Sequence, residues 1–332
     1  MGDTVSEIQA LKKTLDRQRI EYSEYAELKR YTTFRIGGPA RLLVFPDNSR
    51  RLQQVAESAA EFGLPCKVLG MGSNVLVADL GFDGVVIINR STHWEIRRLE
   101  SLPGLGENVA DVAVRVDSGM PVNSLMKTLF KEGITGLEWF AGIPASVGGA
   151  IYTNMHGGDY FFGDLVVNAA LFDGQSTREV DGVYFQFEYD RSRLHDTSEL
   201  VLWADLRLKK GNVENARQRA SQQLKSKAHY PHRSAGCVFR NLSEEDRRRL
   251  NLPTASVGYI MDKVLQLKGH RIGDAIISRQ HAAFIENIGN ARATDVNQLI
   301  KLMQTKAAEQ LGVDLKLEIE LIGNFEELIA ED

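Results

Sequence analysis

The fold of this 332-residue chain is decided around the stretch "AGIPASVGGAIYTN" (residues 141–154). Its small and polar members are Gly142, Pro144, Ser146, Gly148, Gly149 and Asn154. Such a segment can lie against a flat ring system and offer it backbone amides, because few bulky side chains intervene. A buried helix start with a Gly-Gly packing site is the alternative that this stretch alone leaves open.

A second glycine-rich turn, "LGMGSN" (69–74), follows a run with strand composition. Gly70 and Gly72 let backbone amides approach an anion. Ser73 and Asn74 add side-chain donors. The turn is neither a GxGxxG fingerprint, because the third glycine is missing, nor a P-loop, because no Gly-Lys-Ser/Thr follows. It predicts a phosphate-binding turn, with an ordinary strand-end turn as the alternative.

Short β-branched runs flank most of the 29 glycines and predict strands joined by tight turns. Helical periodicity predicts long helices over 49–63, 121–133, 212–229 and 293–312. In the last of these, Thr294 is the predicted N-cap and Gly312 the predicted end. The segments 281–287 and 313–323 predict strands. The fold class is therefore α+β.

The composition excludes several classes of protein. A formal net charge of -4 gives no general attraction to nucleic acid or anionic membranes. No apolar run approaches the roughly 20 residues of a membrane span, and the charged N-terminus lacks the apolar core of a signal peptide. Two cysteines without metal-binding spacing predict a reducing compartment and no metal site. We expect a cytoplasmic monomer without nucleic-acid or membrane partners.

Six motifs in a fixed order then indicate a family. They are "YTTFRIGGPA" (31–40), "VLGMGSNVLVAD" (68–79), "GLEWFAGIPASVGGAIYTN" (136–154), "SAGCVFRN" (234–241), "LKGHRIGDAIISRQHAAFIEN" (267–287) and "LEIELIG" (317–323). Together they resemble the UDP-N-acetylenolpyruvoylglucosamine reductase family from about residue 25 to 323. The resemblance implies a flavoenzyme that completes UDP-N-acetylmuramate in bacterial cell-wall synthesis. The short distance from "DRSR" to Cys237 matches the family variant without a substrate-covering insertion.

The resemblance implies an α+β fold with a vanillyl-alcohol-oxidase-type FAD-binding domain of two subdomains and a C-terminal α+β substrate-binding domain. The implied ranges are an N-terminal helix at 1–24, the FAD-binding domain at 25–211 (subdomains of about 25–90 and 91–211) and the substrate-binding domain at 212–332. FAD would be bound non-covalently, NADPH would donate the hydride, and a sugar nucleotide would be the substrate.

The resemblance also implies the residues that bind these molecules. The cofactor-binding residues would be Thr33, Arg35, Gly70, Gly72, Ser73, Asn74, Gly142, Ile143, Pro144, Ser146, Gly148, Gly149 and Asn154. The substrate-binding residues would be Tyr189, Asn241 and His281.

The implied reaction reduces an enolpyruvyl ether to a lactyl ether, so it needs a group that stabilises negative charge and a proton donor. The family's proton donor is a serine in a Gly-Ser-x-Phe-Lys-Asn run, and Cys237 stands at that position here. A thiol, with a reference pKa of about 8.5, is a far stronger acid than a serine hydroxyl. A buried core cysteine is the alternative.

The family's acidic partner is a glutamate five residues before the closing glycine of the last strand. Gly323 closes that strand here, so the pattern selects Glu318. Glu320 would lie on the same face of an extended strand, and the spacing alone does not exclude it.

The family's arginine motif, Phe-x-Tyr-Arg-x-Ser, is altered. The chain has "FEYDRSRLH" (187–195), so Asp190 takes the place of the arginine that lies beside the substrate carboxylate. Arg191 and Arg193 are the candidates to replace it, and an extended strand would place both on the face of Tyr189. Arg193 is favoured because it follows the matching serine. Either could instead be a surface ion-pair partner.

A second departure is His156, in a loop where many family members have Asn-Ala-Gly-Ala-Tyr-Gly. We expect a hydrogen-bonding or packing role for it and no covalent flavin link. Two other functions stay open on the sequence: an FAD-linked oxidase or dehydrogenase of another small substrate, and a catalytically silent flavin-binding protein.

Overall fold

The computed structural model of the chain describes residues 4–97 and 111–325. The helices are Thr4–Gln18 (α1), Ser49–Glu61 (α2), Val122–Lys131 (α3), Val147–Tyr152 (α4), Val213–Ser226 (α5), Glu244–Arg249 (α6), Val257–Tyr259 (α7) and Ala293–Leu311 (α8). The predicted domain ranges also cover residues 1–3, 98–110 and 326–332, which lie outside the described residues.

The strands are short, with one exception. They are Glu21–Glu27 (β1), Pro39–Phe45 (β2), Cys66–Leu69 (β3), Val75–Val77 (β4), Phe82–Ile88 (β5), Trp94–Arg97 (β6), Asp111–Asp117 (β7), Ile134–Thr135 (β8), His156–Gly157 (β9), Tyr160–Phe161 (β10), Val166–Phe172 (β11), Thr177–Asp181 (β12), Leu200–Lys210 (β13), Arg271–Ile272 (β14), Ala275–Ile277 (β15), Ile285–Asn287 (β16) and Glu320–Ile322 (β17).

The chain divides into two compact units, each built from separate stretches of sequence. The first unit comprises Met1–Glu24, Leu42–Met71 and Gly84–Ala228; the second comprises Tyr25–Arg41, Gly72–Asp83 and His229–Asp332. The domain boundaries expected from the sequence stay predictions.

The larger sheet of the first unit has the order β12-β11-β13-β7-β6, with β8 also pairing with β13. Its neighbouring strands are antiparallel. The short helix α4 packs against β7 and β13. Val114 of the sheet, Leu125 of α3 and Ile151 of α4 are fully buried in one core. Because α4 lies within the stretch 141–154, this core fixes the end of the glycine-rich segment.

A second sheet, in the order β1-β2-β5-β3, has most of its residues in the first unit. β3 and β5 are parallel. The helices α1 and α2 bury Leu11, Leu15, Leu52 and Val55 completely in a common core. The predicted helix over 49–63 is confirmed, with the N-cap supplied by the Asn48 side chain.

The second unit is built around the longest described helix, α8. The predicted apolar stripe is confirmed, because Val296, Leu299, Ile300 and Met303 are all buried. Gly312 ends the helix with φ +62, a conformation that glycine adopts most readily. Beside α8, the strands β14-β15-β16 form a small sheet and β17 pairs in parallel with β4.

The predicted N-cap Thr294 is wrong, because α8 begins at Ala293. The cap comes from Asp79, whose carboxylate accepts hydrogen bonds from the Ala293 and Thr294 N–H groups at 2.7 and 3.0 Å. It also accepts one from the Thr294 hydroxyl at 2.6 Å. A cap supplied from such a distant part of the chain leaves no local sequence pattern.

Replacing Asp79 by alanine should lower the stability of the second unit by about 2 kcal/mol, because charge-assisted hydrogen bonds to a helix N-terminus are lost together. Urea unfolding followed by circular dichroism measures this as a lower midpoint. The matched control is Asp83→Ala, since the Asp83 side chain is 72% exposed and pairs only at the surface with Arg41. Equal midpoints for the two variants would contradict the capping role.

Candidate active site

Two loops of the second unit meet at Gly72. Its carbonyl accepts hydrogen bonds from the Thr33 N–H and hydroxyl, at 3.0 and 3.3 Å. Gly72 has φ +60, and a Cβ there would lie 2.0 Å from the Tyr31 carbonyl oxygen. Both the positive φ and the close approach of the Tyr31 carbonyl require glycine at this position. On the same loop, Arg35 has φ +57 and bonds the Arg30 carbonyl at 3.1 Å.

The Thr33 hydroxyl also donates to the Ser234 carbonyl at 2.6 Å and so joins this loop to "SAGCVFRN". Ser234 and Ala235 are buried. Gly236 has φ +82, and among the described residues no heavy atom lies within 4 Å of a Cβ built there. Within the described part of the chain, a side chain at position 236, directly before Cys237, would therefore meet only the neighbouring residues of its own segment.

Cys237 lies on an extended segment that is paired on both sides. On one side it forms an antiparallel bridge with Phe284. On the other, the Val238 carbonyl accepts a hydrogen bond from the Glu318 N–H at 2.9 Å. The two residues predicted to be catalytic, Cys237 and Glu318, therefore lie on adjacent segments of the second unit.

Asn74 connects the glycine turn to the two candidate glutamates. Its side-chain amide donates to the Glu318 carbonyl at 3.1 Å, and its own carbonyl accepts from the Glu320 N–H at 2.9 Å. The strand predicted over 313–323 is too long, because only Glu320–Ile322 pairs as a strand, with β4. The two glutamates do not share one regular strand, and only Glu318 pairs with the segment of Cys237.

Tyr230, which the sequence alone does not single out, lies in the same region. Its ring centre is 5.6 Å from that of His281 and 5.0 Å from that of Phe284. Burial raises the pKa of the Tyr230 hydroxyl, and the repulsion that an ionised Cys237 would exert on the phenolate adds to the rise. Burial, helped by His229, lowers the pKa of His281, which is therefore neutral at neutral pH. The strand predicted over 281–287 is confined to β16.

In the first unit, Asn123 of α3 fixes the start of the stretch 141–154. Its side chain accepts from the Gly142 N–H at 3.0 Å and donates to the Ile143 carbonyl at 2.7 Å. Gly142 has φ +84, and Pro144 is exposed. The sequence does not predict this role of Asn123, because the residue has the pattern of an ordinary polar position on an amphipathic helix.

Ser146 is the N-cap of α4, and its hydroxyl accepts from the Gly149 N–H at 3.2 Å. A Cβ at Gly70 would lie 2.1 Å from this hydroxyl oxygen. A Cβ at Gly148 would lie 3.0 Å from the Ser118 Cβ. The absence of a side chain at Gly70 therefore allows this turn to contact the start of α4. The Ser146 hydroxyl lies at the contact.

Asn154 is buried, has φ +46 and uses both ends of its amide. Its side-chain oxygen accepts from the Gly163 N–H at 2.9 Å, and its nitrogen donates to the Glu188 carbonyl at 2.8 Å. Asn154 therefore joins the loop around β9 and β10 to the segment that begins at residue 187.

Residues 187–195 do not form the extended strand on which Tyr189, Arg191 and Arg193 would share a face, because this segment turns back on itself. Glu188 and Arg191 exchange two backbone hydrogen bonds, at 3.0 and 3.3 Å. Asp190 lies between them with φ +51, a conformation that aspartate tolerates better than most residues. Arg193–His195 then forms a 3-10 turn. Tyr189, Arg191 and Arg193 consequently do not share one strand face.

The two candidate arginines have separate partners. Arg191 forms an ion pair with Asp196. The Arg193 guanidinium lies 4.6 Å from the ring centre of Tyr184, a cation–π distance. Tyr189, between the arginines and β9, is 44% exposed.

Asp190 and His156, two separate departures from the family sequence, lie together. The His156 Nε2 atom is 3.6 Å from the Asp190 carboxylate, and Asp190 is only 8% exposed. The imidazole ring centre lies 5.0 Å from that of Tyr189 and 5.9 Å from that of Phe161. The spacing of residues 156 and 190 in the sequence does not predict this contact.

Three further observations concern substrate, metal and membrane binding. The Asn241 side-chain oxygen accepts a hydrogen bond from the Val257 N–H at 3.1 Å. Across residues 4–97 and 111–325, no group of three or more His, Cys, Asp and Glu could hold a metal ion. Within that same part of the chain, no helix has the length and apolar character needed to cross a membrane.

Two family models match the chain. The model of the UDP-N-acetylenolpyruvoylglucosamine reductase C-terminal domain matches residues 227–322, and that of an FAD-binding domain matches residues 40–178. The predicted fold, an FAD-binding domain with this C-terminal domain, is confirmed.

Relatives match over nearly the whole chain. A protein named UDP-N-acetylenolpyruvoylglucosamine reductase from Caldicellulosiruptor saccharolyticus is 33% identical over 96% of this chain and 97% of its own. One of the same name from a Synechococcus species is 35% identical over 89% of each chain. The crystal structure of the reductase from Thermus caldophilus superposes with a TM-score of 0.70 and 30% identity, over 92% of this chain and 99% of that one.

Proposed function

The chain belongs to the UDP-N-acetylenolpyruvoylglucosamine reductase family, and we propose that Cys237 and Glu318 carry the proton chemistry of its reaction. The enzyme reduces UDP-N-acetylglucosamine enolpyruvate to UDP-N-acetylmuramate with NADPH and FAD, in peptidoglycan precursor synthesis. The observation that carries the proposal is the backbone hydrogen bond from the Glu318 N–H to the carbonyl of Val238, the residue after Cys237, because it puts the two residues on adjacent segments.

Bound FAD would supply the chemistry of hydride transfer from NADPH to C3 of the enolpyruvyl group. The residues proposed to hold it are Thr33, Arg35, Gly70, Gly72, Ser73, Asn74, Gly142, Ile143, Pro144, Ser146, Gly148, Gly149 and Asn154. The glycine turns support this assignment, because a Cβ would lie 2.1 Å from the Ser146 hydroxyl oxygen at Gly70 and 2.0 Å from the Tyr31 carbonyl oxygen at Gly72, so neither position accommodates a side chain. Backbone N–H groups in such turns suit a pyrophosphate.

Cys237 donates the proton that C2 of the substrate takes up. Glu318 acts as an acid and stabilises the negative charge that develops at C2. The open space around a Cβ built at Gly236, the residue before Cys237, supports the first role. Tyr189, Asn241 and His281 are the proposed substrate contacts. For the substrate carboxylate, Arg191 and Arg193 are the two candidates that the altered family motif leaves.

The experiment is anaerobic rapid mixing of the flavin-loaded enzyme. NADPH should bleach the flavin absorbance, and the enolpyruvyl sugar nucleotide should then restore it. Bleaching without recovery would favour an FAD-linked enzyme of another substrate. A preparation that binds no flavin would contradict any flavoenzyme function.

Gly72→Ala should abolish stable flavin binding. The added Cβ would lie 2.0 Å from the Tyr31 carbonyl, so the turn must move, in addition to a backbone strain of about 1–3 kcal/mol. Gly63→Ala is the matched control, because Gly63 has φ +66 but no described heavy atom lies within 4 Å of a Cβ there. Flavin content after gel filtration measures the effect. Equal flavin content in both variants would argue against the turn as a cofactor site.

We further propose a cytoplasmic monomer. Neither Cys66 nor Cys237 forms a disulfide in the described part of the chain, which fits a reducing compartment. Light scattering of the purified enzyme should give the mass of a single chain, and a larger mass would exclude the monomer.

A further inference from the structure

We infer that His156 is a further catalytic residue, oriented by Asp190, and that its imidazole contacts the enolpyruvyl carboxylate in place of either arginine. The inference rests on the proposed function, since it concerns the substrate of that reaction.

The reaction requires a group that stabilises the substrate carboxylate. Hydride adds to C3 of the enolpyruvyl double bond, the released electron pair moves to C2 and the carboxylate, and a proton then closes the C2–H bond. Before that proton arrives, the carboxylate carries extra negative charge. A hydrogen-bond donor or a positive charge at the carboxylate therefore lowers the barrier. The aspartate at position 190 cannot supply either one.

The pair of Asp190 and His156 can supply both. A carboxylate as buried as that of Asp190 is stable only with a hydrogen-bonding or charged partner. Nε2 of His156 lies 3.6 Å from this carboxylate, an ion-pair distance longer than a hydrogen bond, and Nδ1 is the second ring nitrogen. A carboxylate beside one ring nitrogen favours the ring orientation that turns this nitrogen toward it. In its protonated form the imidazole then donates from Nδ1 and carries positive charge.

The surroundings hold this pair in place. Asn154 bonds Gly163 on the His156 side and Glu188 on the Asp190 side, so one buried amide ties the two segments together. The His156 ring also lies against Tyr189, which is itself a proposed substrate contact. The His156 side chain is 33% exposed, so part of its edge remains accessible to a ligand.

The two arginines are less suited to the role. Arg191 is paired with Asp196, a carboxylate that would have to be given up. Arg193 lies over the ring of Tyr184. Each would have to lose an existing partner to reach the substrate, whereas the carboxylate partner of His156 orients it for that contact.

The test compares His156→Gln with His156→Arg in the flavin-loaded enzyme. His156→Gln should slow reoxidation of the reduced flavin by the enolpyruvyl substrate about 100-fold, because one charge-stabilising donor is lost. His156→Arg restores a permanent charge and should recover most of the rate. Reduction by NADPH and the unfolding temperature should stay unchanged in both. The matched control is His93→Gln, since His93 is an exposed histidine of the same unit.

Asp190 is a positioning residue and is tested by a double-variant cycle. Asp190→Asn alone should slow reoxidation about 10-fold, as for other residues that orient a ligand or catalytic group. In the His156→Gln background the same change should have no further effect, because Asp190 acts through His156. Substrate affinity, read from the change in flavin absorbance on binding, should fall less than the rate does.

Four results would overturn the inference: His156→Gln at the wild-type rate, a 100-fold loss on Arg191→Gln or Arg193→Gln instead, equal slowing of both half-reactions, or an additive Asp190→Asn effect. Failure of the proposed function looks different. In that case wild-type flavin is bleached by NADPH and the enolpyruvyl substrate does not restore its colour.

Discussion

Replacement of Cys237 by alanine should slow the reoxidation of reduced flavin by the enolpyruvyl substrate about 10²- to 10⁴-fold, the range lost with a general acid. The thiol is the proposed source of the proton for C2, and alanine has none to give. Reduction by NADPH should continue at the wild-type rate, because that half-reaction moves only a hydride. Rapid-mixing absorbance of the two half-reactions separates the effects.

Two further cysteine variants make this test specific. Cys237→Ser should keep substantial activity, because it restores a hydroxyl in the position where the family has one. Cys66→Ala should change neither half-reaction, since burial raises the pKa of that thiol to about 12 and keeps it inert. If Cys237→Ala slowed both half-reactions equally, the residue would be structural and the proton would have another source.

The helices of this protein could be predicted because their signals are local. Pro121 precedes α3, Gly312 ends α8, and the stripe from Val296 to Met303 repeats at the helical period. The six motifs likewise indicated the fold and the activity, which the family matches confirm. Local patterns carry this information because each helix must bury one face and end its own hydrogen-bonding ladder.

What could not be predicted depends on contacts between distant residues. Asp79 caps α8, and Thr33 bonds Ser234. Tyr189, Arg191 and Arg193 do not share the face that an extended strand would give them, because the backbone turns at Asp190. In each case the deciding partner lies elsewhere in the chain or is set by tertiary packing, so neither periodicity nor spacing contains it.

The contact between His156 and Asp190 belongs to the same group, and it changes how the altered arginine motif is interpreted. On the sequence, the loss of an arginine and the gain of a histidine are two unrelated departures. In the structure they form one carboxylate–imidazole pair beside Tyr189. That the histidine at 156 compensates for the arginine lost at 190 can be inferred only from the contact between these two loops, which are far apart in the sequence.

Glu318→Gln should slow reoxidation of the flavin by substrate about 10²- to 10³-fold, whereas Glu320→Gln should leave it near the wild-type rate. The two glutamates are matched in type and are both half-buried. They differ in register: the Glu318 N–H bonds the Val238 carbonyl next to Cys237, while Glu320 pairs with Val75 of β4. A larger loss on Glu320→Gln would reverse the assignment.

The register also predicts how Glu318 and Cys237 act together. In the proposed reaction, Glu318 stabilises the negative charge at C2 and Cys237 donates the proton that neutralises it. Removal of either side chain therefore disables the same protonation step. The double variant Cys237→Ala/Glu318→Gln should then be little slower than the slower single variant, because residues that act as a unit are strongly non-additive. Losses that multiply would instead assign the two side chains to independent steps and would leave Glu318 with a role away from C2.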